Sequence, residues 1–187
     1  MKSLMPRKHK SRVPDQRTSK VRRLTTDDAN TYRLLRLKAL LESPSSFGSA
    51  HEDEQLKPIE HFRDCLACSS DRVYFGAFVD GRLVGCVGIE REAGRKERHK
   101  AFLRGMYVDP ANRGHGVGRA LLLAALNHAD ALPGVEQVTL AVTATAAPAV
   151  ALYRGAGFVE YGRAPRALLL DGVAFDELLL VRHRGAV

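Results

Sequence analysis

Apolar positions along the chain change spacing twice, and the two changes divide it into helical, strand and mixed stretches. Near the start, Val21 to Leu24 reads as a short strand. Thr25, with Asp28 three residues on, gives a capping-box pattern, and Tyr32, Leu35 and Ala39 then recur at helical spacing. That spacing predicts a helix to about Glu42, broken by Ser43, Pro44, Ser45 and Ser46. The stretch from Phe47 to Lys57 is polar and reads as a loop. Pro58 suits the first turn of a second helix, which runs to about Cys68 with Ile59, Phe62 and Leu66 turned inward.

A β-rich pattern follows. Val73 to Val79 and Leu83 to Arg91 flank Asp80-Gly81, a hairpin signal. After a charged loop from Ala93 to His99, Ala101 to Val108 is a third strand, ended by Asp109-Pro110. Arg119 to Ala129 is rich in Leu and Ala and reads as a helix, closed by Leu132-Pro133-Gly134. Gln137 to Val142 is again a strand, and Pro148 to Arg154 a short helix stopped by Gly155 and Gly157. Strands at about Phe158 to Tyr161, Ala167 to Leu170 and Glu177 to Arg182 finish the chain.

Three successive strands joined too closely for crossovers must run antiparallel, whereas the link through Arg119 to Ala129 can carry a parallel crossover. The expectation is an α/β (α+β) domain: a mixed, mostly antiparallel central sheet flanked by helices.

Charge changes the picture at one end. The chain has 187 residues and a net charge of +8. Nine Lys or Arg and a single acid, Asp15, lie between Met1 and Arg23, so that segment carries the whole excess. It is poor in apolar residues and contains Pro6 and Pro14, so residues 1–20 are expected to be a basic, disordered tail and residues 21–187 the folded domain. The tail suits weak, salt-sensitive contact with a polyanion such as RNA or the ribosome. No aromatic interleaves its basic residues, which argues against a base-stacking platform. No apolar run reaches membrane-spanning length, and no secretory signal follows the basic start, so no membrane partner is expected. Three cysteines make no disulfide framework, and Cys65-x-x-Cys68 lacks a second ligand pair, so no metal is expected and a reducing cytoplasmic setting fits.

The stretch richest in chemistry runs Met106-Tyr107-Val108-Asp109-Pro110-Ala111-Asn112-Arg113-Gly114-His115-Gly116-Val117-Gly118-Arg119. A strand enters a glycine-rich loop that opens a helix. Unpaired N–H groups at a helix start attract anions, and glycines allow a pyrophosphate close approach. No Gly-Lys-Ser/Thr follows, so this is not a Walker loop; the preceding strand belongs to an antiparallel meander, which disfavours a Rossmann fingerprint.

Here the sequence resembles the GNAT acetyltransferase superfamily over about Val21 to Arg182. Arg113-x-x-Gly116-x-Gly118 meets its main signature, and Ala149-x-x-Leu152-Tyr153-x-x-x-Gly157-Phe158 a second element. The resemblance implies acetyl-CoA as co-substrate and a primary amine, on a small molecule or protein, as acceptor. Arg113, Gly114, His115, Gly116, Val117, Gly118 and Arg119 would hold the pyrophosphate. Met106, Tyr107 and Val108 would line the pantetheine, with the Val108 N–H on the thioester oxygen. Tyr153 would protonate the departing thiolate. Two positions depart from the family: Phe102 stands where some members place a Glu, and Ala146 where an Asn often touches the pantetheine.

The general base is left open between Glu90, at the end of the neighbouring strand, and water relays. Asp176 and Glu177 are either acceptor contacts or solvated carboxylates, and Cys86 reads as a core residue. The alternative function is a non-catalytic CoA-binding or RNA- or ribosome-associated module of the same fold. The oligomeric state, a homodimer included, is left open.

Overall fold

The computed structural model describes residues 19–67 and 69–185. The basic tail up to residue 18 and Cys68 of the C-x-x-C pair therefore lie outside the described residues, while Lys20 already belongs to the first strand. In chain order the strands are β1 (Lys20–Arg23), β2 (Arg72–Val79), β3 (Arg82–Arg91), β4 (Lys100–Val108), β5 (Gln137–Thr143), β6 (Val159–Leu170) and β7 (Val173–His183). The helices are α1 (Ala29–Glu42), α2 (His51–Gln55), α3 (Ile59–Leu66), α4 (Val117–Ala131) and α5 (Ala147–Arg154). One seven-stranded sheet has the order β1-β2-β3-β4-β5-β7-β6. All pairings are antiparallel except β4 with β5, which the α4 crossover makes parallel. The mixed sheet expected from the pattern is the one observed.

Alternation along the strands splits the core between two faces. Val87, Ile89 and Leu103 point to one face and pack under Leu121, Leu122 and Ala125 of α4 and Val150 and Tyr153 of α5. Tyr74, Cys86 and Tyr107 point to the other, beneath Tyr32 and Leu35 of α1 and Phe62 and Leu66 of α3. Phe62 and Leu121 are fully buried, each worth roughly 1.5–3 kcal/mol of burial. Beyond β4 the second face changes character: Phe102, Thr139, Ala141 and Leu179 are only partly buried and Arg104 is exposed.

Two expectations need correction. The stretch Phe47 to Lys57, read as a loop, contains α2, although Ala50 gives it no side-chain cap. What holds α2 is long-range. Glu54 is buried at 6% exposure, with Arg36 of α1 at 3.7 Å and Lys57 at 3.1 Å. Arg33 of α1 donates to the Gln55 carbonyl at 2.9 Å, and the Arg36 guanidinium lies 4.8 Å over the Phe47 ring. Glu54→Ala strands Arg36 in a largely buried position, so it should cost about 2 kcal/mol, read as a lower urea midpoint at unchanged m-value. The value sits below that of a fully buried pair because Lys57 and Arg36 both reach water.

The second correction concerns the C-terminal strands. Those expected at Phe158 to Tyr161 and Ala167 to Leu170 are one strand, β6, with register shifts against β7 between Glu160 and Gly162 and between Ala164 and Leu168. Pro165 falls in the second shift, where no ladder N–H is needed. Bulges, Pro165 and the exposed Arg163 and Arg166 together blunt this long edge strand.

Candidate active site

The sheet opens where β4 and β5 part. They pair only through Lys100–Gln137, Ala101–Val138 and Phe102–Thr139. β4 then continues to Val108 and β5 to Thr143 without pairing, leaving a wedge between them. β5 is held on its other edge, paired with β7 along its whole length. β4 is the strand that bends. Its register against β3 shifts between Cys86 and Gly88, and Gly105 at that bulge has φ 61°, a conformation in which a side chain is strained. The Cys86 thiol, wholly buried, donates to the Gly105 carbonyl at 3.5 Å. Burial pushes that thiol up to about 12, so it is a protonated core group and no nucleophile.

The bend fixes which amides face the wedge. The Asp109 N–H donates to the Val84 carbonyl of β3 at 2.8 Å. Antiparallel alternation therefore turns the N–H groups of Val108 and Met106 away from β3, into the wedge. The Tyr107 N–H points back to β3, and its side chain lies on the α1 face, buried at 4% exposure.

At the mouth of the wedge the chain builds an anion cradle. The Asp109 carboxylate accepts the Ala111 N–H at 3.1 Å and starts a turn through Asn112. Gly116, at φ 79°, is the N-cap of α4 and offers no capping side chain. The N–H groups from Gly114 to Arg119 make no hydrogen bond to an acceptor among the described residues, while the Gly116 carbonyl accepts from Ala120 at 3.0 Å. These free donors converge with the positive end of the helix dipole. A Cβ on Gly118 would meet Leu152 of α5 at 3.4 Å and Met106 at 3.6 Å, ordinary contact distances, so α4, α5 and β4 converge at this position. Val117 is buried and offers only its backbone, whereas His115 and Arg119 are exposed. The Arg113 side chain is exposed and folds back along the strand: its Nε donates to the Val108 carbonyl at 2.8 Å and its guanidinium lies 5.7 Å over the Tyr107 ring. It braces the strand against the loop. The resident donors and the wedge thus fit a pyrophosphate with an extended arm behind it.

α5 brings Tyr153 to the same face as α4. The residue is 7% exposed, its ring edge-on to Phe158 at 5.8 Å, and its hydroxyl has no hydrogen-bond partner among the described residues. Burial pushes the phenol up to about 12. Ala146 is the N-cap of α5, with no side-chain cap.

On the opposite face the sequence-predicted base is occupied. Glu90 lies beside Phe102 in register and its carboxylate is 3.2 Å from the Arg104 guanidinium. Glu42, Lys38 and Asp109 were not singled out from the sequence, yet they form a cluster here. The Tyr107 hydroxyl donates to Glu42, Lys38 is paired with Asp109, and Lys38 stands 3.7 Å from Glu42. Burial and the Glu42 carboxylate push the Tyr107 phenol upward, and Lys38 lowers Asp109. Only the i, i+4 spacing of Lys38 and Glu42 was visible beforehand. Asp176 is engaged too, accepting from Arg163 at 3.0 Å and from the Arg166 N–H at 2.9 Å. Thr143, at the end of β5, donates to the Ser45 carbonyl at 2.6 Å and ties the segment after α1 over the wedge.

The profile of the Acetyltransferase (GNAT) family matches residues 35–158. A mycothiol acetyltransferase from Clavibacter michiganensis subsp. michiganensis is 34% identical over 148 residues, which are 75% of this chain and 44% of that protein. The N-alpha-acetyltransferase RimI of Mycobacterium tuberculosis is 39% identical over 99 residues, 53% of this chain and 60% of that one. The chain thus spans about half the length of these curated relatives. Among solved structures, an acetyltransferase of the GNAT family from Streptococcus pneumoniae superimposes with a TM-score of 0.81 at 25% identity, covering 88% of this chain and 99% of that one. No helix among the described residues is long and apolar enough to cross a membrane.

Proposed function

The chain belongs to the acetyltransferase (GNAT) family, and from that premise we propose that it transfers the acetyl group of acetyl-CoA to a primary amine, by direct attack within a ternary complex. The observation that carries this reading is the pairing of a wedge between β4 and β5 with a row of free N–H donors at the start of α4. Acetyl-CoA supplies an acyl group activated as a thioester. The N–H groups from Gly114 to Arg119 hold its pyrophosphate, and β4 receives the pantetheine as an added strand would be received.

The Val108 N–H, aimed into the wedge, donates to the thioester oxygen. That oxygen gains charge as the amine attacks, and a preplaced donor is worth about 3 kcal/mol at that moment. Tyr153 faces the departing sulfur from α5. Burial pushes the phenol up to about 12, so it is protonated at neutral pH and offers its O–H to the sulfur. Tyr153 therefore acts as a hydrogen-bond donor to the thiolate.

Isothermal titration with acetyl-CoA tests the cradle, and a CoA-release assay tests the transfer. The panel is free amino acids, peptides with a free N-terminus or lysine, aminoglycosides and polyamines. Micromolar binding with turnover of one amine class is expected; no binding at millimolar acetyl-CoA defeats the reading. Binding without turnover of any amine favours a purely CoA-holding module.

A further inference from the structure

We propose that Glu177 is the group that receives the acceptor ammonium and takes its first proton, an assignment that rests on the acetyl-transfer reading above. An alkylamine with a pKa near ~10.4 is about one part in 10³ neutral at pH 7, so nearby carboxylate chemistry speeds attack. Four other carboxylates near the wedge are engaged, Asp176 on the α4 face of the sheet and the rest on the α1 face. Glu90 is held by Arg104, Glu42 by the Tyr107 hydroxyl, Asp109 by Lys38, and Asp176 by Arg163 and the Arg166 N–H. Glu177 alone in this group makes no hydrogen bond or ion pair among the described residues.

Its direction follows from register. Glu177 stands opposite Thr143, the last residue of β5, and opposite Ala164 of β6. Leu178 and Leu180 point into the core under α4 and α5, so Glu177 points to the other face, as Thr143 does toward Ser45. Diagonally before it on β5 lies Ala141, a small side chain on the strand whose far edge borders the wedge. The carboxylate is only partly buried, so an ammonium can reach it from solvent.

The step balances without a further reactant. Glu177 takes one proton from R–NH3+ and later returns it to water. The freed amine forms the C–N bond as the C–S bond breaks. A second proton leaves the nitrogen, and the thiolate, hydrogen-bonded by Tyr153, takes up one in its place. The products are the amide, the free thiol and one released proton.

The test uses the full chain with the best amine from the panel. In Glu177→Gln, kcat should fall about 30-fold, the low side for proton transfer because water reaches this carboxylate. Affinity for acetyl-CoA by titration should stay within about twofold of wild type, and Glu177→Asp should recover part of kcat. Independently of turnover, the amine should bind the dead-end complex with CoA about tenfold more weakly in Glu177→Gln, through loss of its ionic partner. Glu60→Gln, an exposed carboxylate of α3, is the control and should change neither value. Wild-type kcat and amine affinity in Glu177→Gln overturn the assignment and leave the acetyltransferase reading intact. A wild-type protein that binds no acetyl-CoA overturns both.

Discussion

Gly116→Val should abolish measurable acetyl-CoA binding at concentrations that saturate the wild type, a loss of at least about 100-fold in affinity. Two effects combine there. Gly116 sits at φ 79°, where a β-branched residue is strained, so the turn must move to relieve it. Moving it turns the N–H groups around the α4 start out of convergence, and each such bond to a charged oxygen is worth about 1.5–3 kcal/mol. Two lost bonds already exceed the 2.7 kcal/mol that 100-fold represents. No protein atom lies within 4 Å of a Cβ built at Gly116. The substitution therefore meets open space and not the core, and destabilisation should stay near the 1–3 kcal/mol of local backbone strain. Titration calorimetry beside a thermal melt separates the two. A folded Gly116→Val protein with wild-type affinity would remove the α4 cradle from cofactor binding.

The cradle and the element order were legible in the sequence because both rest on local rules. Glycine spacing, Asp109-Pro110 after a strand and a Leu/Ala run state a strand–loop–helix unit within some twenty residues. Tyr153 was reached through its position relative to Gly157 and Phe158. What the sequence concealed depends on contacts between distant residues. α2 exists because Arg33 and Arg36 reach it from α1, and Ala50 gives no hint of a helix start. β6 runs on through Gly162, Pro165 and a left-handed Arg166 because β7 pairs it on both sides of the breaks. Glu90 looked free because Arg104 is fourteen positions away and becomes its neighbour only through the β3–β4 register. The bulge had a local sign that went unused: Gly105 inside an apolar strand, the place where a bulge or a close backbone approach is expected.

The same distinction between local signal and surroundings shapes the expected behaviour of Tyr153→Phe. The substitution keeps the ring that packs edge-on against Phe158 and deletes only an unpartnered hydroxyl, so stability should hold within about 0.5 kcal/mol. Acetyl-CoA affinity should change less than about threefold, since the hydroxyl meets a neutral thioester in the ground state. In the transition state the sulfur becomes anionic, and a hydrogen bond to a charged group is worth about 1.5–3 kcal/mol, so kcat should fall roughly 10- to 150-fold. Burial adds a pH signature. The unperturbed phenol of pKa about 10 would be half ionised at pH 10 and would lose its donor there. Tyr153, pushed up to about 12, keeps its proton through that range, so its contribution should persist to pH 10 and vanish only as pH nears 12. The ratio of wild-type to Tyr153→Phe kcat, measured from pH 7 to 10, should therefore stay flat. A ratio that falls to about half by pH 10 would mean the hydroxyl titrates as a solvated phenol of pKa about 10, and that the site is wetter than the packing against Phe158 implies. A ratio of one throughout would take Tyr153 out of the reaction and leave the sulfur to solvent.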